Sequence, residues 1–177
     1  AGPGITLTDD DGALLHVVHD VLDIVHHHDM VLASGHVSPA EALVLFRTAR
    51  EKGIQRLLAT HPSGIASIEE IRQMAELGAY VEYTFLTCMP SVNKSTPAQI
   101  ASAVRGLGFE RCVVTSDFGQ WMNPPPAEGF RMAIAALMEA GLKVEEITAL
   151  VKTNPLDLVG MGEEPSSRPA PTSAKPP

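Results

Sequence analysis

Cysteine is scarce in this chain, and its two residues, Cys88 and Cys112, lack the close spacing of a metal knuckle. A single pair is too little for a disulfide framework, which fits a reducing cytoplasm better than an oxidising compartment. Basic residues are also few: 13 Lys and Arg stand against 21 Asp and Glu, for a formal charge of -8. With no Lys/Arg cluster and no basic-aromatic stripe, nucleic-acid binding by electrostatic attraction is excluded. No apolar run approaches the roughly 20 residues needed to cross a bilayer, and the opening AGPGITLTDDD lacks the charged-then-apolar architecture of a signal peptide. No membrane partner is therefore expected. The chain starts at Ala1 rather than Met, which leaves room for an upstream signal or an upstream half. A Gly-rich phosphate loop is missing too, which weakens a nucleotide-binding reading.

What is present is ordinary globular composition: 177 residues, 45% hydrophobic and 19% charged, enough for one domain with a real core. That domain is expected over residues 1–161. A tail over 162–177, mostly EEPSSRPAPTSAKPP, is rich in Pro and Ser without an apolar anchor and is expected to stay unfolded.

Short apolar, β-branched runs bounded by turn residues predict strands at Met30 to Ser34, Arg56 to Thr60, Tyr80 to Leu86 and Arg111 to Ser116, each read as buried on both faces. A fifth short strand is allowed at Ile5 to Thr8. Helical patterns alternate with them, as βα units around a parallel sheet require. Ser38-Pro39 with Glu41, Ser67 with Glu70, and Thr96-Pro97 with Gln99 are capping boxes that start helices. Gly53, Gly78, Gly106 or Gly108, and Gly141 stop them. A helix is expected over Asp11 to His28 with Leu14, Val18, Leu22 and Val25 on one face, and Lys143 to Lys152 and Leu156 to Gly160 close the chain. Four to five strands are too few for a whole (β/α)8 barrel. The fold class is therefore α/β, either part of such a barrel or an open doubly wound parallel sheet.

The residues at the strand ends carry the chemistry: LASGH ends at His36, LLATHP reaches His61, YVEYT contains Glu82 and VVTSD ends at Asp117. In parallel α/β folds the C-terminal strand ends line the active site, so these side chains converge although they are distant in sequence. Two imidazoles and a carboxylate suit zinc or a similar divalent ion, and the carboxylate doubles as base for an activated water. Each residue also has a plainer use. Gly35-His36 can simply turn into the Ser38 cap, His61-Pro62 can force the chain out of its strand, Asp117 can cap a loop, and Glu82 can pair with a neighbouring strand. The loop Phe118 to Pro126, with Gln120 and Trp121, is either a substrate wall or a rigid surface loop. His26-His27-His28 contains an HxH pattern, but Asp29 leads straight into a strand without room for a crossover helix. The triplet is therefore read as an exposed helix end balancing the dipole.

The order of His36, His61 and Asp117, with one strand between the last two, resembles the amidohydrolase superfamily, as do GHVSPAEAL, ATHP, VEYTF, SDFGQ and the closing NPLDLVG. The resemblance spans roughly Met30 to Met161. It implies the C-terminal part of a TIM-type barrel in which His36 and His61 bind metal, zinc first and manganese, iron or cobalt as alternatives. Asp117 would bind the metal and activate water, and Glu82, Gln120 and Trp121 would face a small-molecule substrate. The implied activity is hydrolysis of an amide, lactone or ester; the residues alone equally permit phosphoester cleavage. The chain departs from the family in lacking a convincing first-strand HxH pair and any strand lysine. That departure motivates the competing expectation of a catalytically incomplete half-barrel that acts through homo-oligomerisation.

Overall fold

In the computed structural model, which describes residues 4–162, four strands form one parallel sheet: β1 (Leu32–Ala33), β2 (Leu57–Ala59), β3 (Ala79–Thr84) and β4 (Cys112–Thr115). Their spatial order is their chain order, and register runs from Leu32 opposite Leu57, through Leu57 opposite Ala79, to Val81 opposite Cys112. The order never reverses, so the sheet has no topological switch point. Right-handed crossovers in such an order send successive helices to the same face, the arrangement found around a barrel.

The helices begin where the sequence supplies caps. Helix α2 (Pro39–Glu51) starts at Ser38, α3 (Ile68–Glu76) at Ser67 and α4 (Pro97–Leu107) at Thr96; at each start the hydroxyl accepts from the third residue's N–H while that residue's side chain reaches back. The stops at Gly53, Gly78, Gly108 and Gly141 all have positive φ, the left-handed conformation that ends a helix. Helix α5 (Pro126–Glu139) follows the loop after β4.

Period-two alternation along the strands decides which face is core. Leu32, Leu57, Ala59, Ala79, Val81, Tyr83, Cys112 and Val114 share one buried cluster with Leu22, Phe46, Val104 and Leu137 from the surrounding helices. The opposite positions are different: Ala33 is exposed, and Leu58, Tyr80, Glu82 and Thr115 are only half-buried. The expectation of strands buried on both faces is therefore corrected. Helices cover one face, and among the described residues nothing equivalent covers the other, although Val113 on β4 and Leu158 are buried apart from the main cluster.

Three further expectations change. Ile5 to Thr8 forms no strand; Thr8 makes one antiparallel bridge to Leu14, and the Leu7 N–H donates to Glu41 Oε1 at 2.7 Å. The first helix, α1, runs over His16–His27 rather than from Asp11, because Asp9 Oδ1 accepts from the backbone N–H groups of Asp11 and Ala13 and folds that stretch into a turn. Leu14, Val18, Leu22 and Val25 are nonetheless all buried, while His26, His27 and His28 are exposed at the helix end.

The closing segments form a continuous helical stretch instead of two separate pieces. Helix α6 (Val144–Thr148), a π-helical turn at Ala149–Thr153 and α7 (Asn154–Leu158) follow without a break. The wider turn accommodates Pro155, which has no N–H to donate. It also turns Asn154 inward, where its Nδ2 donates to the carbonyls of Phe109 and Cys112, both at 2.7 Å, at the N-terminal end of β4. The Pro/Ser-rich tail expected over 162–177 lies outside the described residues from 163 onward.

Candidate functional site

The C-terminal ends of the four strands are joined by side chains as well as by backbone bonds, in which Ser34 N–H donates to the Leu58 carbonyl at 2.9 Å and Leu86 N–H to the Ser116 carbonyl at 3.1 Å. Ser34 Oγ accepts from Thr60 N–H at 3.0 Å, and Thr60 Oγ1 accepts from Gly35 N–H at 3.1 Å, which ties the end of β1 to the end of β2. Glu82 continues the series: its Oε2 accepts from the backbone N–H of His61 at 3.2 Å and its Oε1 from the Thr115 hydroxyl at 2.8 Å. These rungs hold β1 through β4 level at the point where each chain must turn away.

The turns themselves are unusual. Gly35 has φ +61°, His61 +26° and Asp117 +53°, so the chain leaves three of the four strands through a left-handed residue. Asp and Asn adopt this conformation with modest penalty, and Asp29, Asn93 and Asp117 do so here. His61 is the exception, a bulky residue in a sparsely populated region whose cost the surrounding hydrogen bonds must offset.

The consequence is that two residues 25 apart in sequence meet. His36 Nε2 and His61 Nε2 lie 3.1 Å apart, with ring centroids 4.8 Å apart. One ring donates its Nε2–H to the other, and either can take the donor's part. The same spacing suits a shared cation: two nitrogens bound at about 2.0–2.1 Å to one tetrahedral ion stand about 3.3 Å apart.

Both histidines line a cavity of about 540 Å³ at the strand ends, and Asp117 lines it as well. The Asp117 side chain is exposed, and its carboxylate makes no hydrogen bond or ion pair with a described residue. Among the described residues, no three His, Cys, Asp or Glu side chains stand close enough together to hold a metal ion. The sheet thus brings His36 and His61 into ligand spacing, and it brings Asp117 to the same cavity without completing a three-donor cluster.

The other residues singled out from the sequence sit differently. Glu82 is the brace just described, with both carboxylate oxygens engaged. Gln120 buttresses the loop after β4: its Nε2 donates to the Asp117 carbonyl at 3.1 Å, and its Oε1 accepts from Asn123 Nδ2 at 2.6 Å. Trp121 is 91% exposed. None of the three lines the cavity. The loop is pinned instead by Phe118, which is buried, lies 6.5 Å from the Phe85 ring and packs directly over Gly129 of α5.

Sequence reasoning passed over Ser34, Thr60 and Thr115, which make the rungs, and Tyr83 and Thr84, whose hydroxyls are buried without a hydrogen-bond partner among the described residues. The available signal was a hydroxyl residue closing each apolar strand, in LAS, LLAT, VEYT and VVT.

Fold and strand ends together define a parallel α/β protein with a histidine pair at the C-terminal end of its sheet. Residues 1–82 match the model of a family of unknown function (DUF6282). The match takes in His36, His61 and the brace Glu82, and it ends before Asp117. No curated protein matches the chain.

Proposed function

We propose that this chain carries the metal-binding strand ends of a metal-dependent hydrolase of the amidohydrolase type. The observation that supports this most is the approach of His36 Nε2 to His61 Nε2 at 3.1 Å, just past the ends of adjacent parallel strands. The donor chemistry fits a divalent ion that favours imidazole, zinc first and manganese, iron or cobalt next. A divalent ion bound there polarises a substrate carbonyl and makes water acidic enough to lose a proton near neutral pH.

In this reading His36 and His61 hold the ion, and the rungs from Ser34 to Thr115 keep their rings aligned. Asp117, free of other partners on the same cavity wall, accepts the proton of the attacking water and returns it to the leaving group. The substrate is a small amide, lactone or ester, and a phosphoester would meet the same groups. The free thiols of Cys88 and Cys112 suit a cytoplasmic setting. Among the described residues no helix is long and apolar enough to cross a membrane.

Elemental analysis of the purified protein beside His61→Ala tests the reading. Near-stoichiometric metal that disappears in the variant is expected, together with loss of turnover in Asp117→Asn. Absence of metal after incubation with zinc and manganese, or full turnover in Asp117→Asn, refutes it.

A second reading rests on the uncovered sheet face. All-parallel sheets are normally covered on both sides, and here Ala33, Leu58 and Tyr80 are not fully buried. Val17, Val21 and Ile24 add an exposed apolar stripe on α1. A half-barrel that works only when assembled would show these features. Sedimentation velocity separates the two: a monomer that binds metal supports the first reading, and a metal-free oligomer supports the second.

A further inference from the structure

The cavity beside the histidine pair has a second character that the strand ends do not explain. Away from His36, His61 and Asp117, much of its wall is apolar, with Ile65, Leu86, Val92, Ile100 and Ala103 facing it. Such a surface accommodates a short aliphatic or acyl chain, and about 540 Å³ lies within the range of small-molecule pockets.

Among the described residues, Lys94 is the one lysine or arginine that lines this cavity. Its backbone is fixed: Lys94 N–H and Ser95 N–H both donate to the Thr87 carbonyl, at 2.9 and 3.0 Å, and Thr87 Oγ1 donates to the Thr84 carbonyl at 2.8 Å. Its ammonium, by contrast, makes no ion pair among the described residues, where such pairs engage Lys52, Arg56, Arg72, Arg105 and Arg131. In a chain of net charge -8, a free positive charge on a rigid loop at a cavity runs against the overall field.

Two residues of the same wall, Tyr83 and Thr84, carry buried hydroxyls that lack partners among the described residues. Tyr83 is 2% exposed and Thr84 3%, and neither Tyr83 Oη nor Thr84 Oγ1 has a hydrogen-bond partner among the described residues. Buried hydroxyls are rarely left so, because each forfeits the hydrogen bond it made to water. Burial also pushes the Tyr83 hydroxyl well above its ordinary pKa, so it stays protonated as a donor.

We propose that this cavity selects molecules in which a short apolar chain carries a carboxylate, with the ammonium of Lys94 taking the carboxylate and Ile65, Leu86, Val92 and Ile100 taking the chain. The inference rests on the hydrolase reading only for where the scissile bond would sit. For the proposed hydrolase it narrows the substrate to an acidic acyl compound, such as an amide or ester that bears a free carboxylate. Neutral molecules of the same length lose the charge-assisted contact, and cationic ones are repelled.

The test uses metal-free full chain and three probes of equal length, hexanoate, hexan-1-ol and hexylamine, followed by backbone amide NMR titration. Hexanoate is expected to bind about tenfold more tightly than hexan-1-ol, the worth of one charge-assisted contact, and hexylamine more weakly than either. Lys94 is exposed, so Lys94→Gln retains the fold, and it should reduce hexanoate affinity about tenfold while leaving hexan-1-ol unchanged. Equal binding of hexanoate and hexan-1-ol, no binding of hexanoate, or an unaltered hexanoate affinity in Lys94→Gln overturns the proposal. Because neither metal nor turnover enters the measurement, hexanoate binding by a protein that never takes up metal preserves the pocket and removes the hydrolase. Metal uptake without hexanoate binding does the reverse.

Discussion

Removing the Glu82 side chain is the sharpest probe of how the site is held. Its carboxylate accepts from the N–H of His61 at 3.2 Å and from the Thr115 hydroxyl at 2.8 Å. A hydrogen bond to a charged group contributes about 1.5–3 kcal/mol when well protected. Glu82 is half-buried, so water recovers part of each bond, and Glu82→Ala should cost about 2–3 kcal/mol in total. For a domain of this size that lowers the melting temperature by roughly 4–12 °C. The functional loss should exceed what stability alone implies. His61 holds a left-handed φ of +26° next to that bond, and once released it is free to relax to an ordinary backbone that carries its ring away from His36. Loss of such an outer support typically weakens metal binding about 10–100-fold.

Glu82→Gln separates a brace from a substrate contact. A glutamine at this position can accept from the His61 N–H through its carbonyl oxygen and donate through its amide nitrogen to the Thr115 oxygen, since a hydroxyl both donates and accepts. Both rungs survive, and only the charge is lost. Thermal unfolding by circular dichroism and zinc titration by calorimetry should therefore show Glu82→Gln close to wild type and Glu82→Ala impaired in both. Zinc affinity unchanged in Glu82→Ala refutes the bracing argument. Zinc affinity retained in Glu82→Gln with a raised KM instead gives the carboxylate the substrate-facing role that the sequence suggested.

Two other predictions concern the scaffold. Gly129→Ala places a methyl group where the Phe118 ring lies, and overpacking of this kind costs about 1–3 kcal/mol; a lowered melting temperature with weaker hexanoate or metal binding is expected, because Asp117 adjoins the displaced ring, and an unchanged melting temperature refutes the packing argument. Glu41 is held down to about 2 by the Ser38 hydroxyl first, then by the Leu7 N–H and the Thr6 hydroxyl, against an ordinary value of 4.5. The unfolded chain therefore takes up this proton first as pH falls, so the stabilisation is complete above pH 4.5 and is lost as pH drops toward 2. At so accessible a site it amounts to something on the order of 1 kcal/mol. Urea unfolding from pH 6 to 2.5 should show Glu41→Gln with a shallower decline than wild type, and parallel declines contradict the assignment.

The parts of this fold that were legible beforehand are those written in neighbouring residues. Capping boxes at Ser38, Ser67 and Thr96 and the stops from Gly53 to Gly141 act within a few residues of themselves, so their pattern survives any tertiary setting. Ile5 to Thr8 failed for the opposite reason: its β-branched alternation suits a strand, but the Leu7 N–H is claimed by Glu41, 34 residues on. The open sheet face was illegible because Leu58 and Tyr80, both half-buried, read as core residues whether or not anything covers them. At the site, convergence of His36 and His61 followed from strand ends alone. The duty of Glu82 did not, since a carboxylate at a strand end serves a substrate and a backbone N–H equally well. Only the positions of His61 and Thr115 decide between them.

His61 shows how fold and site bear on each other. Of the four residues other than glycine with positive φ among the described residues, three are Asp or Asn, which tolerate that conformation. Glycine would adopt the turn at 61 without strain, and a helix-forming residue would avoid it. A histidine there costs stability of order 1–3 kcal/mol, and side-chain capping does not recover it, since His61 makes no side-chain cap bond to the short 3-10 turn it precedes. What the residue does make is the 3.1 Å approach to His36, and the bond from its own N–H to Glu82 keeps it there. This strained residue sets its ring beside the His36 imidazole and on the cavity wall. It is readily explained if the two nitrogens are held ready for a shared ligand.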